Sequence, residues 1–254
     1  MDMWIALMGL MVGFLVGLTG VGGAALLTPI LLLIGISPTV AVGTDLFYNS
    51  VTKLFGTIQH YRQKTIKMDV VLYLAYGSIP GAVVAIGMLT LFEQVFQNQE
   101  AVIKHALGIM LIVVAIATIY KQFFDRNRKQ NRWQIKTLQE KKWMTISIGF
   151  LLGAVVGLTS VGSGSLFAIA LIYFFAMKGS EVVGTDIAHA FLLVTVAGLL
   201  HAGLGNVDFG LAFNLLAGSI PGVILGSTLS AKVPTRPLRA IVATLILISG
   251  IKLL

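Results

Sequence analysis

Polar residues recur along one face of an otherwise apolar segment, residues 39–58. Asp45, Asn49, Lys53, Gly56 and His60 follow one another at spacings of three to four, so a helix places them on a single face. A charge at the centre of a bilayer costs roughly 2.5–3.5 kcal/mol on insertion scales, so such residues face a partner or a water-filled cavity. The lysine would supply a counter-charge for an anionic substrate. Alternatively, it pairs with the aspartate inside the bundle or extends to the nearby membrane surface.

Two glycine-rich elements indicate a second kind of chemistry, anion binding by free backbone N–H groups. The sequence reads GLTGVGG from residue 17 and GLTSVGSG from residue 157. Glycine at this density opens a helix, and the half-helix that follows presents N–H groups and the positive end of its dipole. Alternatively, the glycines only permit close helix packing. The predicted substrate-binding residues are Thr19, Gly20, Gly22, Gly23, Asn49, Lys53, Thr159, Ser160, Gly162, Ser163 and Gly164.

Acidic residues and histidines are the remaining candidates. Asp186 is the counterpart of Asp45, and His189 follows it by three residues on the same helical face. We predict that Asp45, Asp186 and His189 act in coupling or gating, with proton transfer as one role. The other three histidines lie at segment ends, which favours interfacial positions: His60, His105 and His201. The chain has no cysteine and no HExxH-like histidine spacing, so we expect neither a metal site nor a cofactor.

The composition places these residues in a membrane. Of 254 residues, 57% are hydrophobic and 11% are charged, whereas an ordinary soluble domain carries about 25% charged residues. Such a chain is predicted to be a polytopic membrane protein. Its net charge of +8 comes from Lys and Arg in short loops between apolar runs, which indicates membrane topology rather than a nucleic-acid partner.

The elements that must position the site belong to an internal repeat. Eight apolar segments span residues 3–35, 39–58, 70–92, 102–124, 143–177, 182–204, 209–231 and 238–254. Gly17-Leu-Thr recurs from Gly157 at an offset of 140, and Val42-Gly-Thr-Asp recurs from Val183 at an offset of 141. A histidine and the block Gly-Ser-Ile-Pro-Gly also recur at the offset of 141. We therefore predict a first membrane repeat (1–124), a basic cytoplasmic linker (125–142) and a second membrane repeat (143–254).

Loop charges favour inverted repeats over parallel ones. If the linker is cytoplasmic, inversion also places the cations of residues 62–67, 178 and 232–239 inside, and leaves 93–100 and 203–208 outside. Parallel repeats would put the cations of 178 and 232–239 outside. We expect an all-α fold in which the first segment of each repeat breaks at its glycines, as a re-entrant hairpin or two short helices. Six full crossings plus two hairpins satisfy this parity, and ten short crossings satisfy it equally.

The two flanks of the first glycine break are short. Residues 3–15 and 24–33 would reach only about 20 Å and 15 Å at 1.5 Å per residue. Neither spans easily alone, so we expect the two glycine tips to meet near the midplane.

At these residues the chain resembles the TauE/SafE, or sulfite exporter, family of membrane anion permeases. The resemblance rests on Gly17-Leu-Thr-Gly-Val-Gly-Gly23 with Pro29, on Val42-Gly-Thr-Asp45, on Gly77-Ser-Ile-Pro-Gly81, and on the copy of each block in the second half. It implies a multi-pass carrier in the bacterial cytoplasmic membrane that moves sulfite, sulfoacetate or related organosulfonates, often outward.

The leading hypothesis is a secondary transporter of small sulfur-containing anions that works by alternating access. Its expected partners are the anion, the lipid bilayer and a coupling proton or cation, with no nucleic acid. A channel for small anions is a second hypothesis. A third is a non-transport intramembrane enzyme or assembly factor, for which Ser50 beside Asn49 is the near candidate nucleophile without a positioned histidine. We favour the transporter and do not expect an enzyme.

Overall fold

The computed structural model describes residues 3–19, 23–96, 99–124, 131–177, 179–230 and 235–254. These residues form helices and no strands. The helices are α1 (Met3–Thr19), α2 (Ala24–Leu33), α3 (Pro38–Arg62), α4 (Met68–Phe96), α5 (Gln99–Phe124), α6 (Arg132–Ile135), α7 (Lys142–Thr159), α8 (Leu166–Phe174), α9 (Gly179–Gly203), α10 (Phe209–Ser230) and α11 (Thr235–Leu253). Five of them are long and apolar enough to cross a membrane: α4, α5, α7, α9 and α10.

Apolar side chains cover the outside of the bundle and polar ones lie within it. Leu91, Leu151 and Leu199 are more than 60% exposed, whereas Asp45 and His189 are fully buried. Extensive apolar exposure of this kind is unfavourable in water and matches a lipid-facing surface. The all-helical prediction is confirmed, and the chain is a multi-pass membrane protein.

The helix before the first glycine break is longer than the sequence pattern indicated. We expected the first flank to end near residue 15, but α1 continues to Thr19, and its 17 residues reach about 25 Å. Gly13 and Gly17 therefore do not interrupt it. A Cβ on Gly13 would lie 2.4 Å from the carbonyl oxygen of Ser219, so this glycine admits the neighbouring backbone of α10. Close packing is thus the role of this glycine, and the break itself begins later.

Glycines pair α1 with α10 and α4 with α7, each pair running parallel. Gly9 and Gly13 of α1 meet Leu215 and Ser219 of α10, so both numbers rise together. Gly149, Gly153 and Gly157 of α7 meet Leu74, Ser78 and Ala82 of α4 in the same sense. Because the repeat register relates α1 to α7 and α10 to α4, each half packs its first helix on the other half by the same glycine interface.

The equivalent helices α3 and α9 run antiparallel. Gly43 of α3 lies against His201 near the end of α9, whereas Gly56 meets Ile187 near its beginning. The α3–α4 loop and the α9–α10 loop therefore lie at opposite ends of this pair.

The two short helices, α2 and α8, end in different ways. Helix α2 closes itself: Gly35 has a φ of +89°, and the N–H of Ile36 donates to the carbonyl of Leu31 at 3.0 Å. This is the glycine-dependent motif that satisfies the last carbonyls of many helices. Helix α8 lacks such a glycine, and Phe175 after it is extended.

Residues 131–141 of the basic linker supply the missing cap of α8. Asn131 Nδ2 donates to Tyr173 O at 2.8 Å, Gln134 Nε2 donates to Ile172 O at 2.9 Å, and Lys141 Nζ donates to Phe174 O at 3.1 Å. The acceptors lie in the last turn of α8, whose carbonyls lack partners within the helix. Since Lys141 immediately precedes α7, the end of α8 lies beside the start of α7, and the chain turns back at the second glycine break.

Candidate functional site

The second glycine break is a sharp turn between α7 and α8. Ser160 ends α7 in the left-handed conformation, with φ of 58°, and its N–H donates to Val156 O at 2.7 Å. Gly162 follows with φ of +105°, a conformation that side chains rarely adopt. Ser160 and Ser163 are buried, at 1% and 2% exposure. The turn therefore holds two hydroxyls and several backbone groups inside the bundle.

Asp45 is the centre of a buried polar cluster. Its Oδ2 accepts from Thr28 Oγ1 at 2.7 Å and from Ser160 Oγ at 2.5 Å. Asn49 Nδ2 donates to its Oδ1 at 2.8 Å and to its backbone carbonyl at 2.9 Å. Thr28 Oγ1 also lies 2.8 Å from Ser160 Oγ. The cluster thus joins α2, α3 and the second glycine break, which come from both halves of the chain.

Lys53 connects α3 to the same break. Its Nζ donates to Ser163 O at 2.8 Å and to Ser163 Oγ at 3.3 Å. Asp45, Asn49 and Lys53 are the eighth, twelfth and sixteenth residues of the 25-residue helix, so they lie on one face near its middle. The predicted shared face is therefore present. The Lys53 ammonium contacts the break instead of extending to the membrane surface.

The first glycine break is described only in part. Gly20 and Gly22, both predicted to bind substrate, lie outside the described residues, and so does the side chain of Thr19. Gly23 precedes α2, and a Cβ on it would lie 3.1 Å from Asn49 Oδ1. The start of α2 therefore lies against the polar face of α3.

Asp186 and His189 of α9 lie near Lys53. Both are buried, and Asp186 acts electrostatically on the lysine. His189 Nε2 is 2.8 Å from Ser78 Oγ, and its ring centroid is 4.3 Å from that of Phe167. Its Nδ1 has no hydrogen-bond partner among the described residues. That buried nitrogen is thus available to a ligand or to water.

Several other predicted residues have structural contacts. Thr159 Oγ1 donates to Val155 O within its own helix at 2.8 Å. Gly164 lies in the turn before α8, partly exposed. Ser50, the candidate nucleophile, donates to Phe47 O at 2.7 Å.

His201 is not at an interface, contrary to expectation. It is fully buried, and its Nε2 donates to Gly157 O at 3.0 Å. The carbonyl lies in the last turn of α7, where it has no partner from its own helix. His105 is exposed, and His60 lies near the end of α3 with its Nδ1 2.8 Å from Thr65 Oγ1.

Thr28 was missed by sequence reasoning. It stands alone in the apolar helix α2, with no periodic pattern and no charge. One signal was present: it directly precedes Pro29, and a buried hydroxyl usually finds a hydrogen-bond partner.

The site is asymmetric although the chain is duplicated. The repeat register places Ala190 at the counterpart of Asn49 and Gly20 at that of Ser160, and the counterpart of Thr28 is Ala168 at an offset of 140 or Ile169 at an offset of 141. Both halves therefore retain the aspartate, while the counterparts of the residues that bond to Asp45 carry no polar side chain. Asp45, Thr28 and Ser160 are at most 1% exposed, so this conformation closes the site.

The fold and the site together define a polytopic helical membrane protein with a buried, charged centre where broken helices from both halves meet. The sulfite exporter TauE/SafE family model matches residues 5–253. The chain belongs to this family of membrane transporters.

Relatives match along almost the whole chain. It is 61% identical to the probable membrane transporter protein YjnA of Bacillus subtilis, over 100% of both chains. It is 25% identical to the probable membrane transporter protein YunE of the same organism, over 98% of this chain and 96% of the relative. A third relative, the probable membrane transporter protein MJ0441 of Methanocaldococcus jannaschii, is 24% identical over 98% and 94%. No solved structure matches the chain.

Proposed function

We propose that this protein is a secondary transporter that exports small sulfur-containing anions, such as sulfite or sulfoacetate, across the bacterial cytoplasmic membrane. The observation that carries the proposal is the ammonium of Lys53, held at the second glycine break by Ser163 O and Oγ. A cation buried inside the helical bundle of a membrane protein is costly and points to function. The family description supports the substrate class.

The anion would bind between Lys53 and the two glycine breaks. Broken helices offer backbone N–H groups with the positive ends of their dipoles, and transporters use such half-helices for anionic groups. Ser163 adds a hydroxyl, and Nδ1 of His189 offers a further polar contact. Both side chains are buried, so an oxyanion there would be screened from water.

We further propose that the two halves form an inverted repeat, with the linker in the cytoplasm. The antiparallel packing of α3 on α9 supports inversion, because equivalent helices of parallel repeats would run in the same direction. The return of the chain from α7 to α8 supports a re-entrant hairpin. Alternating access would then consist of one half moving against the other around the closed site.

Two lysine variants, one inside the site and one outside it, test the site. Replacing Lys53 by Met removes a charged hydrogen bond worth about 2 kcal/mol, so we expect uptake of sulfite and sulfoacetate into inside-out vesicles to fall roughly thirty-fold. Lys104→Met is the matched control, because Lys104 is exposed on α5, and it should transport like the wild type. Lys53→Arg should retain part of the activity.

Two results would overturn the proposal. Unchanged flux in Lys53→Met would refute the site, and failure of the wild type to move either anion would refute the substrate class. Counter-transport distinguishes a carrier from a channel: external unlabelled anion should accelerate the release of labelled anion through a carrier.

A further inference from the structure

Three side-chain oxygens form a closed triangle in the buried site. Thr28 Oγ1 lies 2.7 Å from Asp45 Oδ2 and 2.8 Å from Ser160 Oγ, and Ser160 Oγ lies 2.5 Å from Asp45 Oδ2. All three separations are in the range of O–H···O hydrogen bonds. The triangle ties α2 and α3 of the first half to the glycine break of the second.

The triangle holds one hydrogen bond more than its hydroxyls can supply. Each hydroxyl has one proton to donate, and an ionised carboxylate has none. If Thr28 and Ser160 both donate to Asp45, neither has a proton left for the other. Their two oxygens then lie 2.8 Å apart with no hydrogen between them. A protonated carboxyl supplies the third proton, since each oxygen then donates once and accepts once.

The surroundings of Asp45 favour the neutral acid. In the part of the chain that the structure describes, no Lys, Arg or His nitrogen lies within 4.0 Å of this carboxyl group. An unpaired buried carboxylate carries a large desolvation cost, which protonation removes. The amide of Asn49 satisfies the other carboxyl oxygen at 2.8 Å.

The charged and titratable groups around Asp45 and its neighbour Lys53 lie on two helices. On α3 itself these are Lys53 and Tyr48, and on α9 they are Asp186 and His189. Helices α2 and α10 and residues 160–165 contain no titratable side chain. Lys53 is therefore the neighbouring cation, and it donates to Ser163 instead of to Asp45.

We infer that the Thr28–Asp45–Ser160 triangle is a proton-binding site and that its proton is the coupling ion of transport. An ionised Asp45 would compete with an anionic substrate for Lys53, two turns along the same face. A proton on Asp45 and an anion at Lys53 therefore favour each other's binding and cross the membrane together, so export is driven by the outward gradient of the anion. Loss of the proton leaves an unbonded oxygen pair and releases the second glycine break from α2. The inference rests on the proposed transport function for its flux measurement only.

Infrared spectroscopy of the purified protein tests the proton directly. At neutral pH the wild type should show the C=O stretching band of a protonated carboxylic acid, which ionised carboxylates lack. Asp45→Asn should remove this band, and the matched variant Asp69→Asn, at an exposed position in the first turn of α4, should retain it. Thr28→Val preserves the side-chain shape but breaks the triangle, so it should weaken the band. This variant replaces Asp45→Asn in the test if the aspartate variant does not fold. The inference would be overturned if the wild type showed no such band, or showed one that neither Asp45→Asn nor Thr28→Val reduced.

Proteoliposomes containing a pH-sensitive dye test the coupling. Entry of sulfoacetate through the wild type should acidify the lumen, and its apparent affinity should rise on lowering the pH. In Asp45→Asn the acidification per anion moved should fall about ten-fold, whereas Asp69→Asn should behave like the wild type. Net entry of sulfoacetate through the wild type without acidification would refute the inference and leave the proposed function intact. A wild type that moves no anion would refute the proposed function, and the infrared band would still decide whether Asp45 holds a proton.

Discussion

At the scale of single residues, the sequence Gly-Thr-Asp occurs twice, at 43–45 and at 184–186. Each residue of the block makes a contact of its own. A Cβ on the first glycine would lie 2.1 Å from Asn206 O, so that position admits a loop of the other half. The threonine of each block accepts from the N–H just before a helix: Asp208 N donates to the first and Lys67 N to the second, both at 3.0 Å. The threonine of each block thus binds the backbone at the start of a helix in the other half of the molecule.

Thr44→Val tests this reciprocal cap. The substitution keeps the shape but leaves the N–H of Asp208 without its acceptor, which should cost about 1 kcal/mol of stability. We expect a lower thermal unfolding temperature in detergent. The control is Thr118→Val, whose hydroxyl donates to Val114 O in its own helix. Equal unfolding temperatures in the two variants would contradict the capping role.

The sequence predicted part of this residue-level arrangement. Asp45, Asn49 and Lys53 share a face because their spacing is a local property of a helix. The contact of Lys53 with Ser163 and of Asp45 with Thr28 depends on how distant segments pack, which periodicity does not encode. The position of Thr28 before Pro29 was its one sequence signal, and it did not indicate which partner the hydroxyl would find.

At the scale of helices, hydropathy located the long segments well, and glycine content misplaced the end of the flank before the first break. Single glycines within α1 and α7 remain helical because the surrounding residues favour helix and the cost of one glycine is only about 1 kcal/mol. The backbone turns where several small residues follow one another, as at residues 160–165. A cluster of glycines therefore marks the break, whereas a single glycine does not.

A pair of glycines in α4 tests the close helix packing. A Cβ on Gly77 would lie 1.9 Å from Ile146 O of α7, whereas one on Gly87 would meet nothing within 4 Å. Gly77→Ala should therefore separate the helices and lower the unfolding temperature. Gly87→Ala should leave it unchanged or raise it slightly, since alanine favours helix by about 1 kcal/mol. The idea fails if both variants melt alike.

At the scale of the whole molecule, loop charge and helix packing favour the same orientation. The charges of residues 62–67 and of the linker were the basis for placing both in the cytoplasm. Lys67 and Gln134 line one cleft of about 490 Å³, so the two regions lie on one side of the bundle. The conformational change that we propose for opening the site has no counterpart in composition or spacing, so its geometry could not be predicted from the sequence.

The absence of cysteine makes this topology directly testable. Single cysteines at Leu204, Gln63 and Gln139, all exposed, can be labelled with a membrane-impermeant maleimide. Leu204→Cys should react in intact cells, whereas Gln63→Cys and Gln139→Cys should react only in inside-out vesicles. Labelling of positions 63 and 204 from the same side would rule out the inverted arrangement.

The cap that residues 131–141 place on α8 also bears on how the protein is made. Synthesis proceeds from the N-terminus, so Asn131, Gln134 and Lys141 leave the ribosome before the carbonyls that they bind. A nine-residue helix is too short to be stable by itself. Helix α8 therefore meets its three donors as soon as it enters the fold, whereas α2 is sealed by the glycine that emerges directly after it.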